Sequence, residues 1–226
     1  MQGCPHEPQE PHEPQEPHET GVTVQDSTQD LAAGLRRFQQ DVFPAKAELF
    51  AGLAARHAPD TLFIGCSDAR VVPELITQRE PGELFVIRTA GNLVPAHAPF
   101  AADGVAAGVE YAVAVLGVTD IVVCGHSACG AMTALAEGHD LSGAPAVAEW
   151  LRHADDAVAR TPDSVTSADR VPALVRENVR AQLTRLTTHP SVARALARDE
   201  LTLHGWVYDI ATGSVENLTA SVATAA

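Results

Sequence analysis

The stretch Thr61-Leu62-Phe63-Ile64-Gly65-Cys66-Ser67-Asp68-Ala69-Arg70 decides how this chain is read. Leu62, Phe63 and Ile64 form a short apolar run that reads as a buried strand, and Gly65 closes it. A thiol, a carboxylate and a guanidinium follow at alternate positions: Cys66, Asp68 and Arg70. An extended backbone would project all three to one side. A hydrophobic core has little use for such a set, because an unpaired buried charge is very costly.

A second stretch, Asp120-Ile121-Val122-Val123-Cys124-Gly125-His126-Ser127-Ala128-Cys129-Gly130, repeats the format of apolar strand, glycine and potential ligands. The spacing His126-x-x-Cys129 can bring both side chains to one ion where a loop turns into a helix. Two cysteines and a histidine, with an optional aspartate, make a tetrahedral zinc set. The separation of Cys66 from Cys129 rules out a compact zinc finger. It suits two strands of one sheet whose C-terminal ends meet, where open α/β sheets place their active sites.

The chain has 226 residues, 46 % of them hydrophobic, enough for one substantial core and a tail. Its net charge is −14, and the first thirty residues hold Glu7, Glu10, Glu13, Glu16, Glu19, Asp26 and Asp30 with no Lys or Arg. Nothing in this balance resembles a basic nucleic-acid surface. No apolar run approaches the ~18 residues of a membrane span, and no basic, then apolar, leader opens the chain. We therefore expect a soluble, cytoplasmic protein with no nucleic-acid or membrane partner. Of the four cysteines, Cys4 lies in the tail, Cys66 and Cys129 are candidate ligands, and Cys124 reads as a small buried hydrophobe. Reduced thiols fit this usage better than disulfides.

Residues 1–25 form a leader in which Pro-His-Glu-Pro-Gln-Glu recurs from Pro5 and Pro11, a composition that cannot pack a core. Residues 26–226 read as a single α/β domain. An N-terminal helical arm is expected from Leu31, Leu35 and Phe38, with a second short helix after Pro44. Further helices are expected over 72–78, 104–116, 130–137, 147–158, 171–186 and 192–197. Strands are expected near 61–65, 84–87, 121–124 and 201–210, and 215–218 adds a C-terminal hairpin strand. The order implies a mostly parallel central sheet flanked by helices. No Gly-x-Gly-x-x-Gly turn follows the first strand, which weighs against a dinucleotide site.

With these residues in hand, the chain resembles the β-class carbonic anhydrases. The matching blocks are Cys66–Arg70, Glu83–Arg88, Gly91–Val94, Glu110–Val113, His126–Gly130, Glu177–Val179 and His204–Tyr208. The resemblance implies that Cys66, His126 and Cys129 bind zinc, and that Asp68 and Arg70 form a catalytic pair beside it. Asp68 would either orient the attacking hydroxide or take the fourth zinc position in a closed state. His57, Phe85, Ala90, Tyr111 and Gly130 match positions around the substrate pocket. The implied reaction is reversible, zinc-dependent hydration of carbon dioxide to bicarbonate and a proton by metal-bound hydroxide. The implied assembly is a homodimer or tetramer whose pocket is built from two subunits.

Three departures stand out. Ala69 replaces the family's second serine, and His57 stands where a glutamine usually contacts substrate. Arg88 and Tyr208 match two members of a remote bicarbonate site, but Phe63 occupies its tryptophan position. A weak or absent remote site is therefore expected. The same ligands could also serve hydrolysis of carbon disulfide or carbonyl sulfide, or a purely structural zinc.

Overall fold

The computed structural model describes residues 24–99, 103–162 and 164–219. The repeat-bearing leader lies outside the described residues, apart from its last two positions, which are already helical. Contacts divide the chain between Ala54 and Ala55 into two compact units. The first contains α1 (Val24–Arg37), a π-helical turn (Phe38–Val42) and α2 (Phe43–Ala45), and α3 (Ala47–Ala55) runs to its boundary. Leu31, Leu35, Phe38, Val42 and Phe43 remain exposed. The rings of Phe38, Phe43 and Phe50 gather at centroid separations of 5.3–6.2 Å.

The second unit is built on five strands: β1 (Thr61–Cys66), β2 (Leu84–Thr89), β3 (Asp120–His126), β4 (Thr202–Tyr208) and β5 (Val215–Asn217). Their order is β2-β1-β3-β4-β5, and only β5 runs antiparallel to its neighbour. Alternation along the central strands separates the two faces. Leu62, Ile64, Ile121 and Val123 join one core cluster, whereas Phe63, Val122 and Cys124 join another with Trp206 and Tyr208. The expected mostly parallel sheet, flanking helices and terminal hairpin strand are all present.

The helices of this unit are α4 (Pro73–Thr77), α5 (Gly104–Glu110), α6 (Gly130–Glu137), α7 (Pro145–Leu151), α8 (Asp155–Arg160), α9 (Ser167–Leu186) and α10 (Pro190–Leu196). Asp103 caps α5 by accepting from the N–H groups of Val105 and Ala106. The chain beyond α5 loosens into a π-helical turn over Tyr111–Leu116, and Gly117 ends it. The long α9 buries Leu174, Val175, Val179, Ala181 and Leu186, and it lies close against β4. A Cβ on Gly205 would stand 2.8 Å from Leu183 Cδ1 and 3.0 Å from Val179 Cγ1, so a larger residue would force these side chains to shift.

Three expectations need correction. The single helix over 147–158 is two helices, α7 and α8, joined by a 3₁₀ turn at Arg152–Ala154. Strand β2 continues beyond the expected 84–87 through Arg88 and Thr89, because their backbone groups still pair with β1. The backbone also does not stay extended from Cys66 to Arg70. It turns, with the Val71 N–H donating to the Asp68 carbonyl at 3.0 Å.

Candidate metal centre

Strands β1 and β3 are parallel neighbours, with Gly65 opposite Cys124, so Cys66 and His126 emerge at the same edge of the sheet. His126 is the last residue of β3, and Cys129 is the cap residue from which α6 starts. Between them Ala128 adopts a left-handed φ of 52°. The ligand atoms of Cys66, His126 and Cys129 all lie within 4.8 Å of one another, and all three residues are buried.

Hydrogen bonding prepares these groups for a cation. His126 Nδ1 lies 2.9 Å from the Ser127 carbonyl and donates to it, which leaves Nε2 as the ring's free lone pair. That Nε2 is buried without a hydrogen-bond partner, an arrangement that is costly unless a metal takes the lone pair. The Cys66 thiol is held down to about 4, chiefly by the Cys129 thiol donating to it. Burial opposes that shift, and the Asp68 and Gly91 backbone add to it. Cys129 is pushed up by the same shared bond and by burial. Both thiols must be deprotonated for the two sulfurs to ligate a metal. Donor type, clustering and the orphaned nitrogen all fit a tetrahedral soft-metal site.

Asp68 stands beside the cluster, with Oδ2 at 3.9 Å from His126 Nε2. Its carboxylate is gripped by Arg70: Nε donates to Oδ1 at 2.9 Å, Nη2 to Oδ2 at 2.6 Å and the backbone N–H to Oδ1 at 3.0 Å. These bonds hold the carboxyl well below the usual carboxylate range. The turn just described, rather than strand alternation, brings the pair together. Arg70 Nη2 also donates to the Ala128 carbonyl at 3.1 Å, tying the first ligand loop to the second.

The remaining site candidates separate into two places. Ala90 lies in the 3₁₀ turn next to Cys66, and Gly130 follows Cys129 with open space where a Cβ would be. His57, Phe85 and Tyr111 instead form a row of rings, with centroids 6.3 Å and 5.9 Å apart. Phe85 pairs with Leu62, four residues back from Cys66, which is roughly 13 Å along the strand. A single chain therefore does not bring these three rings to its own ligands.

Arg88 has a use that the sequence did not disclose. Its Nε donates to the Cys66 carbonyl at 3.0 Å and its Nη2 to the Asp68 carbonyl at 2.6 Å, clamping the loop that carries both. Phe63 is fully buried, edge-on to Trp206 at 6.4 Å. Sequence reading passed over Trp150 and Gln182 and gave Asn178, inside the matching block Glu177–Val179, no role; their side chains reach the turn and segment after β2. Their only signal was polar character inside helical stripes. A separate cavity of about 640 Å³, lined by Phe63, Leu84, Val122 and Trp206 with Asp120 and His204, contains none of the ligands.

An open, mostly parallel α/β sheet with two cysteines, a histidine and a carboxylate–guanidinium pair at its central strand ends defines a metal-binding enzyme. The family model described as carbonic anhydrase matches residues 61–215. A carbonic anhydrase of Pseudomonas aeruginosa is 59 % identical over 192 residues, spanning 84 % of this chain and 87 % of the relative. Among solved structures, the β-carbonic anhydrase CcaA superposes with a TM-score of 0.82 at 40 % identity, over 87 % of this chain and 97 % of that one. A tetrameric β-carbonic anhydrase of Sordaria macrospora gives 0.63 at 33 % identity, over 85 % and 94 %. The chain belongs to the carbonic anhydrase family, in its β class. Its reaction is the reversible hydration of carbon dioxide to bicarbonate and a proton.

Proposed function

We propose that the metal is zinc, held by Cys66, His126 and Cys129, and that Asp68 and Arg70 are the catalytic pair. The observation that carries this reading is the buried His126 Nε2, left without a hydrogen-bond partner on a residue that clusters with Cys66 and Cys129. When bound, zinc supplies Lewis acidity that brings the pKa of a water toward neutrality. An ionised Asp68 can only accept hydrogen bonds, so a water or hydroxide donating to it turns a lone pair toward the carbon of carbon dioxide. Arg70 keeps that carboxylate ionised and aimed. Arg88 holds the backbone beneath both residues.

The assembly we propose is a homodimer or a tetramer built from dimers. The row of His57, Phe85 and Tyr111 lies too far from its own chain's ligands to wall their pocket. A second copy would supply it across the interface. The exposed apolar residues of α1 and its following turn support such pairing. Among the described residues no helix is long and apolar enough to cross a membrane. Cys66, Cys124 and Cys129 are free thiols, which suits a reducing cytoplasm.

The test is Cys129→Ser, followed by zinc content, carbon dioxide hydration and carbonyl sulfide hydrolysis. The expected result is loss of zinc and of hydration together. Full zinc with no hydration between pH 7 and 9 in the unmodified protein would refute the reading. Turnover of carbonyl sulfide without hydration would reassign the substrate.

A further inference from the structure

One amide unit meets the site from behind. The Ala90 carbonyl accepts from the Trp150 indole Nε1–H at 2.9 Å, and the Gly91 N–H, on the same peptide, donates to Cys66 Sγ at 3.4 Å. Two hydrogen bonds on opposite ends of one amide polarise it in the same sense and strengthen each other. The next peptide is held as well. Asn178 Nδ2 donates to the Gly91 carbonyl at 2.9 Å, while Asn178 Oδ1 accepts from Gln182 Nε2 at 2.9 Å. Asn178 and Gln182 are 1 % and 0 % exposed, so water does not compete for these bonds.

The turn is also confined sterically. Gly91 has φ +73°, and a Cβ there would stand 3.0 Å from Ala131 Cβ and 3.2 Å from Met132 Cε, both on the helix that starts at Cys129. Trp150 is set by its own helix and by an edge-on contact with His153 at 5.1 Å. Hence α7 and α9, which carry none of the ligands, converge on a single N–H aimed at a ligand sulfur.

We propose that Trp150 and Asn178 are positioning residues of the metal centre, which hold the Ala90–Asn92 turn so that the Gly91 N–H tempers the Cys66 sulfur. This rests on the proposed metal role of Cys66. Two thiolates donate enough charge to blunt a bound cation. An N–H···S bond withdraws density from one of them and leaves the cation a stronger Lewis acid, and such supporting contacts also orient the ligand.

The experiment uses the full-length protein loaded with cobalt(II). It reads the sulfur-to-cobalt charge-transfer band, and metal affinity by chelator competition. Trp150→Phe removes the indole donor and keeps a ring, and Asn178→Leu removes the amide at similar volume. Both variants are expected to shift the band to longer wavelength, because a sulfur without its hydrogen bond gives up an electron more easily. Affinity is expected to fall roughly 10- to 100-fold for Asn178→Leu, and less for Trp150→Phe. If Asn178→Leu does not fold, Trp150→Phe alone decides. A Trp150→Phe protein that melts earlier but keeps the wild-type band and affinity assigns the tryptophan to packing and overturns the proposal. A wild-type protein that takes up no cobalt overturns the metal reading along with it.

Discussion

Replacing Gln182 by leucine should destabilise the protein by about 1–4 kcal/mol, with the volume of the side chain nearly preserved. Gln182 is fully buried on α9 and makes three bonds: Oε1 accepts from the Val94 N–H at 3.0 Å, and Nε2 donates to Asn178 Oδ1 at 2.9 Å and the His153 carbonyl at 3.2 Å. Leucine leaves the Val94 N–H and Asn178 Oδ1 buried without partners, each costing about 1–3 kcal/mol. The His153 carbonyl lies on a half-exposed residue and can turn to water. Relief from desolvating the glutamine amide offsets about 1–2 kcal/mol of the loss. Urea unfolding of metal-loaded protein at one subunit concentration measures the difference. With a slope of about 1–3 kcal/mol per molar, the midpoint should fall by roughly 1 M while the slope stays unchanged. A midpoint within roughly 0.2 M of wild type would show that these bonds add little, and the account of α9 as the support of residues 90–94 would fail.

Asp120 gives the pH prediction. Burial pushes its carboxyl up, but the His204 ring at 2.8 Å, Thr119 and more distant cations together bring it below its ordinary value. A depressed carboxylate stabilises the fold above its unfolded value of about 3.9 and loses that contribution as pH falls through the folded value. His204→Ala should therefore lower the melting temperature at pH 6, with the gap to wild type closing below pH 4. A gap that persists in acid would refute the assignment. At His57, substitution by alanine should lower kcat/KM roughly 3- to 10-fold, the effect of one lost neutral hydrogen bond to substrate. His57→Gln should retain activity with an unchanged pH profile, and a fully active alanine variant would place the histidine outside the pocket.

Much of the centre was legible because its chemistry is local. Cys66 and Asp68 are two residues apart, and His126 and Cys129 are three apart, so each half announces itself within one strand end. Trp150 was not legible. It sits in a segment whose pattern suggested one helix over 147–158, where the chain breaks at Arg152–Ala154. Arg88 was visible as a charged residue after an apolar run, but its acceptors are backbone carbonyls, which carry no mark in a sequence. Gln182 looked like an ordinary polar position of a helix, and Asn178, although inside the matching block Glu177–Val179, carried no sign of its partners, since helical periodicity ranks residues by polarity and does not say what they face.

By itself, the order of residues determined the strands, the parallel sheet that their alternation with helices requires, and the choice of Cys66, His126 and Cys129 as the candidate metal-holding side chains. These depend on side-chain type and near-neighbour spacing, which the chain states directly. Only the tertiary structure decided the turn that joins Asp68 to Arg70, the separation of His57, Phe85 and Tyr111 from their own ligands, and the contacts of α7 and α9 with the turn behind Cys66. Those depend on where distant segments come to rest, and packing of whole elements, not residue spacing, sets that position.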